Sequence, residues 1–89
     1  MKSAYERALE RFTVESRQYT ADQKRALAEI DRVYEAKIAE SKLAAEPHLT
    51  AAAEDPEKGA KIRESLARDV ADLERRREAE KEQVRRKAR

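Results

Sequence analysis

Cysteine and tryptophan are both missing from this 89-residue chain, which has one glycine, Gly59, and two prolines, Pro47 and Pro56. Without cysteine there is no disulfide frame, thiol nucleophile or cysteine-based metal site, and nothing points to an oxidising compartment. One glycine cannot build a phosphate-cradling loop, and GxGxxG and GxxxxGK[ST] patterns are absent. So few turn residues also argue against a sheet protein, which needs them at every reversal. No stretch approaches the roughly 18 apolar residues of a membrane span. The opening Met1-Lys2-Ser3-Ala4-Tyr5-Glu6-Arg7 carries charges every few residues and has no apolar signal-peptide region. A cytoplasmic address and no membrane partner are the expectation.

Charge fills much of the space. Charged residues are 45% of the chain, 21 basic and 19 acidic, for a net charge of +2. Of its apolar residues, 17 are alanine and only 18 are larger. Such a Glu-, Arg-, Lys- and Ala-rich composition reads as exposed helix or coiled coil in a single all-α domain.

Period and caps divide the chain into three helical segments. From residue 3 to 13, Tyr5, Ala8, Leu9 and Phe12 recur at helical spacing, and Ser3 with Glu6 forms an S-x-x-E capping box. A polar break follows, and Thr20-Ala21-Asp22-Gln23 offers a second box for an arm over residues 21–53. There Leu27, Ile30, Tyr34, Ile38, Ser41, Ala45, Leu49 and Ala52 step by three and four in an eleven-residue period. At about 3.67 residues per turn this favours a straight or slightly right-handed pairing. Pro47 should bend this arm without ending it, because Ala51-Ala52-Ala53 resumes strong helix formers.

Asp55 suits an N-cap, Pro56 a first helical position and Glu57 a positive helix end, so a second arm is expected over residues 56–88. Ile62, Leu66, Val70, Leu73, Arg77, Lys81 and Val84 repeat the same period with two basic residues in the stripe. Equal arms around a tight turn predict a long antiparallel, coiled-coil-like helical hairpin, with the short first helix folded against its open end. Folding about Glu54-Asp55 sets Leu49 near Ala60, Leu43 near Leu66, Ile38 near Val70 and Ile30 near Ala79.

Burying a large apolar side chain contributes roughly 1.5–3 kcal/mol, while ordering each residue costs about 1–2 kcal/mol. A lone hairpin is therefore marginal, and small scaffolds without disulfides or metals commonly oligomerise. The expected protein interface is the pair of stripes Leu27, Ile30, Tyr34 and Ile38, and Leu66, Val70 and Leu73. A homodimer forming a four-helix bundle is the preferred state, with a monomer docked on a larger protein partner as the rival.

Charge is uneven along the chain. Residues 75–89 hold eight basic and three acidic groups, and residues 26–74 hold seven and twelve. Arg77, Lys81, Arg85 and Arg89 form one stripe at i+4, each of the first three preceded at three residues by Glu74, Glu78 or Glu82. The bland reading is a solvated helix end laced by these pairs. The functional one is an RNA-binding or ribosome-associated surface made of Arg75, Arg76, Arg77, Lys81, Arg85, Arg86, Lys87 and Arg89. Tyr5, Tyr19 and Tyr34 map toward the same end, but core positions suit Tyr5 and Tyr34 better than base stacking.

Chemistry finds no foothold. His48 is the sole histidine, with no second ligand at metal spacing, and no Glu-x-x-His pair exists for a di-iron bundle. Carboxylate pairs such as Glu35/Glu40 and Asp69/Asp72 lack a pocket to shift them, and Ser3, Ser16, Ser41 and Ser65 lack a neighbouring base. The expectation is a non-enzymatic interaction module with no catalytic residue, cofactor, metal or small-molecule substrate.

One resemblance stands beside this reading. Lys2-Ser3-Ala4-Tyr5-Glu6-Arg7-Ala8-Leu9-Glu10-Arg11, followed by Asp22-Gln23-Lys24, Ala28-Glu29-Ile30-Asp31 and Ala36-Lys37-Ile38-Ala39-Glu40, resembles a family of small uncharacterised bacterial helical-hairpin proteins. The resemblance implies a helical hairpin and a bacterial source, and it brings no activity with it.

Overall fold

A computed structural model describes residues 3–8 and 19–87. It contains a short helix α1, helical over residues 4–8, and two long helices, α2 (Ala21–Ala51) and α3 (Pro56–Arg86). No strand occurs among the described residues. The long helices pack against each other as the helical hairpin that period and caps imply. At 31 residues each they are about 46 Å long, and the longest dimension of the molecule is 53 Å.

Caps fix where each helix begins. The Glu6 N–H donates to Ser3 Oγ at 3.2 Å and the Arg7 N–H to the Ser3 carbonyl at 3.1 Å, opening α1. At α2 the box is reciprocal: the Gln23 N–H donates to Thr20 Oγ1 at 3.1 Å and the Thr20 N–H to Gln23 Oε1 at 2.8 Å. At α3 the Lys58 N–H donates to Asp55 Oδ1 at 3.1 Å, with Pro56 at the first position, where its missing N–H costs nothing. The continuation of α1 to residue 13, with Leu9 and Phe12, lies outside the described residues. Tyr5 does not occupy the core position expected of it, being 73% exposed.

Both arms stop two residues sooner than anticipated, at Ala51 and Arg86. Alanine favours helix strongly, so Ala52 and Ala53 carry no stop signal of their own. The reversal claims them: the Ala53 N–H donates to the Thr50 carbonyl at 3.2 Å and the Asp55 N–H to the Ala52 carbonyl at 3.0 Å. Pro47 lies inside α2 without ending it. Its missing N–H frees the Leu43 carbonyl, and both Pro47 and Leu43 are exposed, so water can satisfy that carbonyl.

The eleven-residue stripe is the seam between the arms. Leu27, Ile30, Ile38, Ser41 and Leu49 are half-buried, and Tyr34, Ala45 and Ala52 are buried. On α3, Ile62, Leu66, Val70, Leu73, Arg77, Lys81 and Val84 are half-buried, continuing from buried Gly59. The cross-arm pairing differs in detail from a constant offset. Leu43 is 63% exposed and does not meet Leu66; Ala45 lines the inter-arm groove with Leu66 instead. At about 100° per residue, Leu43 stands some 200° around α2 from Ala45. Ala60 and Ala79 are likewise exposed, while Gly59 and the pair Arg77/Lys81 take the seam at those levels.

Candidate functional site

The seven expected interface residues all come together along this intramolecular seam. Tyr34, at 6% exposure, is the sole buried one; Leu27, Ile30, Ile38, Leu66, Val70 and Leu73 each keep part of their surface open on the flanks. Lys37 Nζ sits 4.9 Å from the centre of the Tyr34 ring, covering its outer side as a cation–π contact. The Glu80 carboxylate and burial hold the Tyr34 phenol above its ordinary pKa.

Toward the open end the seam turns ionic. Arg77 Nε donates to Asp31 Oδ1 at 2.7 Å and its terminal nitrogen to Glu35 Oε1 at 3.1 Å. Lys81 Nζ lies 3.0 Å from Asp31 Oδ1 and 3.2 Å from Oδ2. The side chains of Arg77 and Lys81 are only 19% exposed. Hydrogen bonds from Arg77 and then Lys81 hold the Asp31 carboxyl below its usual range. Beyond this cluster, the Gln23 side-chain amide donates to the Val84 carbonyl at 3.4 Å, tying the two arms near their ends.

Much of the expected nucleic-acid surface is engaged within the chain. Arg85 bonds Glu78 at 2.7 Å and lies 3.5 Å from Glu82; that contact with Arg85 leads the causes that lower the Glu78 pKa. Arg75 and Arg76 approach Asp72 at 3.5 and 3.1 Å, and Arg86 approaches Glu82 at 3.6 Å. Lys87 is exposed, and Arg89 lies outside the described residues.

The local i,i+3 pairs expected for Arg77 and Arg85 exist, yet they are the longer contacts: 3.8 Å for Glu74–Arg77 and 3.5 Å for Glu82–Arg85. The cross-arm carboxylates Asp31 and Glu35 hold Arg77 more closely. Their signal was present, since the predicted fold places residues 31 and 35 level with the late basic slots of the stripe.

A groove runs along one side of the hairpin near the turn. One part, about 420 Å³, is lined by Ser41, Ala44, Ala45, His48, Ile62, Ser65, Leu66 and Asp69. A second part, about 290 Å³, shares His48 and Ile62 and reaches Lys58 and Lys61. Small residues make the groove concave, while Ile62 and Leu66 give it an apolar floor. No cluster of metal-ligating side chains occurs among the described residues. No helix among them is long and apolar enough to cross a membrane.

No protein-family model matches the chain, and no curated protein and no solved structure matches it.

Proposed function

We propose that this chain is a non-enzymatic helical rod that acts by presenting its helix faces to a protein partner, in the first instance a second copy of itself. The supporting observation is incomplete burial. Among the described residues no large side chain is fully buried, and the buried apolar set is Tyr34, Ala45 and Ala52. Two helices in one layer leave both flanks of their stripe in water. Covering those flanks is the ordinary route by which a small helical scaffold gains stability. A larger protein partner would meet the same need.

Sedimentation equilibrium tests the reading directly. A particle of twice the 10.3 kDa chain mass is expected, with helix content rising with protein concentration as the dimer fills. A persistent 10.3 kDa species at high concentration, with unchanged helicity, would remove the self-association.

RNA binding through the basic end finds less support. Arg77, Lys81 and Arg85 are drawn into ion pairs within the chain, so phosphate would have to displace carboxylates already in place. If RNA is nevertheless retained, binding should weaken with salt by a log–log slope of about −0.7 per phosphate neutralised on a single strand. Apolar helix pairing should respond little or tighten.

A further inference from the structure

We infer that the groove-bearing side of α3 is a self-complementary face, on which a second copy packs antiparallel about a two-fold axis passing close to Ser65. This rests on the self-association proposed above and specifies its geometry. Lys58, Lys61, Ser65, Asp69 and Asp72 succeed one another at steps of three, four, four and three. That spacing places all five on one strip of the helix. The strip is a mirror in position and an inversion in charge. Lys61 and Lys58 precede Ser65 by the same intervals at which Asp69 and Asp72 follow it. Two such strips laid antiparallel bring Lys58 of each copy to Asp72 of the other, and Lys61 to Asp69. Laid parallel, they set like charge against like.

Two further observations place this strip at a contact. Lys58, Lys61, Ser65 and Asp69 line the groove beside which Ala44, Ile62 and Leu66 expose apolar surface, and Ser65 is small enough to allow close approach at its centre. Among the described residues, neither Lys58, Lys61 nor Asp69 has an ion-pair partner within its own chain, which leaves all three open to a second copy. Asp72 holds Arg75 and Arg76 at 3.5 and 3.1 Å, with side-chain surface still open. A two-fold interface requires this kind of self-complementarity, each patch meeting its own copy. The apolar floor supplies attraction, and the charges select orientation and register.

The ionic part of the seam offers no equivalent, because Arg77, Lys81, Asp31 and Glu35 satisfy one another there. The exposed Leu43 stands alone beside Pro47, with nothing to say what would cover it.

Charge inversion tests the arrangement. The full-length variant with Lys58→Glu and Lys61→Glu makes the strip wholly acidic, and the variant with Asp69→Lys and Asp72→Lys makes it wholly basic. Each alone should sediment as a monomer under conditions where the unmodified chain is a dimer. An equimolar mixture should restore the dimer as a heterodimer, and the chain carrying all four changes should again self-associate. Circular dichroism of each variant verifies that the hairpin persists.

Because the chain has no cysteine, Ser65→Cys adds a unique thiol. A short bifunctional maleimide should link it to its symmetry mate, whereas Leu43→Cys, on the outer face, should not link. If the unmodified chain is monomeric, self-association and this geometry fall together. If it is dimeric while both inverted variants remain dimers and Ser65→Cys resists cross-linking, the geometry is wrong and self-association stands.

Discussion

Gly59→Ala should stabilise the hairpin, although Gly59 is buried where the arms leave the turn. A buried glycine at such a crossing invites the explanation that no side chain would fit. The surroundings say otherwise. The three atoms nearest a Cβ at residue 59 all belong to the Arg63 guanidinium, at 3.5 Å for both terminal nitrogens and 3.7 Å for Cζ. These are ordinary contact distances, to the end of a flexible side chain on the same helix. No atom of α2 lies within that reach, and Gly59 has no positive φ that a side chain would strain. Its N–H closes the first turn of α3 on the Asp55 carbonyl at 3.0 Å, which alanine preserves.

What remains is the entropy that glycine loses on entering a helix, about 0.8–1.0 kcal/mol relative to alanine in an interior position. Gly59 is near the helix start, so a gain of about 0.5–1 kcal/mol is the reasonable magnitude. For a domain of this size each kcal/mol moves the midpoint by about 4–8 °C, giving an expected rise of about 2–8 °C. Thermal unfolding followed by circular dichroism at one fixed protein concentration reads the shift, since self-association would otherwise move it. An unchanged or lowered midpoint would refute the reasoning, and would mean that α2 approaches residue 59 more closely than the structure shows.

Tyr34→Ala removes the one large side chain among the described residues that is nearly covered, with an expected loss of about 3–5 kcal/mol. That exceeds what a marginal hairpin can bear, so most of the 222 nm ellipticity should vanish, while Tyr34→Phe should keep it. Asp31 has a lowered pKa in the folded chain, so its stabilising contribution is present above its unfolded value of about 3.9 and is lost as pH falls through the lower folded value. Melting temperature should therefore drop on acidification below about pH 4, and Asp31→Asn should reduce that drop; an equal drop in both proteins would discredit the cluster. Thr20→Ala deletes a reciprocal cap and should cost about 1 kcal/mol, with faster amide exchange confined to the first turns of α2.

The hairpin was readable because two independent signals agreed. The eleven-residue stripes identify which residues face inward, and Thr20 and Asp55 identify where helices start. Every stripe residue from Leu27 to Ala52 and from Ile62 to Val84 is half-buried or buried. Pairing between arms was harder to read. Folding the chain at a fixed offset ignores helical rotation, which is why it sets Leu43 against Leu66 although Leu43 is the most exposed of the described leucines. Helix ends at alanine were also silent, because the residue that turns at Ala52 is as helix-favouring as the residue that does not at Ala51.

The ionic segment of the seam was half legible. Arg77 and Lys81 stood out in an apolar stripe, and local glutamates offered an easy explanation. The predicted pairing sets residue 31 level with these slots, but level is not contact, and the 2.7 Å bond from Arg77 to Asp31 depends on helical rotation that the pairing does not give. Tyr5 shows a different limit. Its expected core face rests on a period shared with Leu9 and Phe12, which lie outside the described residues.

The eleven-residue period also makes the rod's length a quantity that can change in steps. Three helical turns of this period return a residue to the same angular position. Excising eleven residues from α2 and the eleven facing them in α3 would rejoin stripe to stripe on both arms, shortening the rod by about 16 Å while leaving the turn and both caps intact. Cutting one arm alone would leave the other overhanging by that length. Any lineage of such hairpins is thus expected to vary in paired insertions and deletions, with lengths spaced by this unit rather than spread evenly.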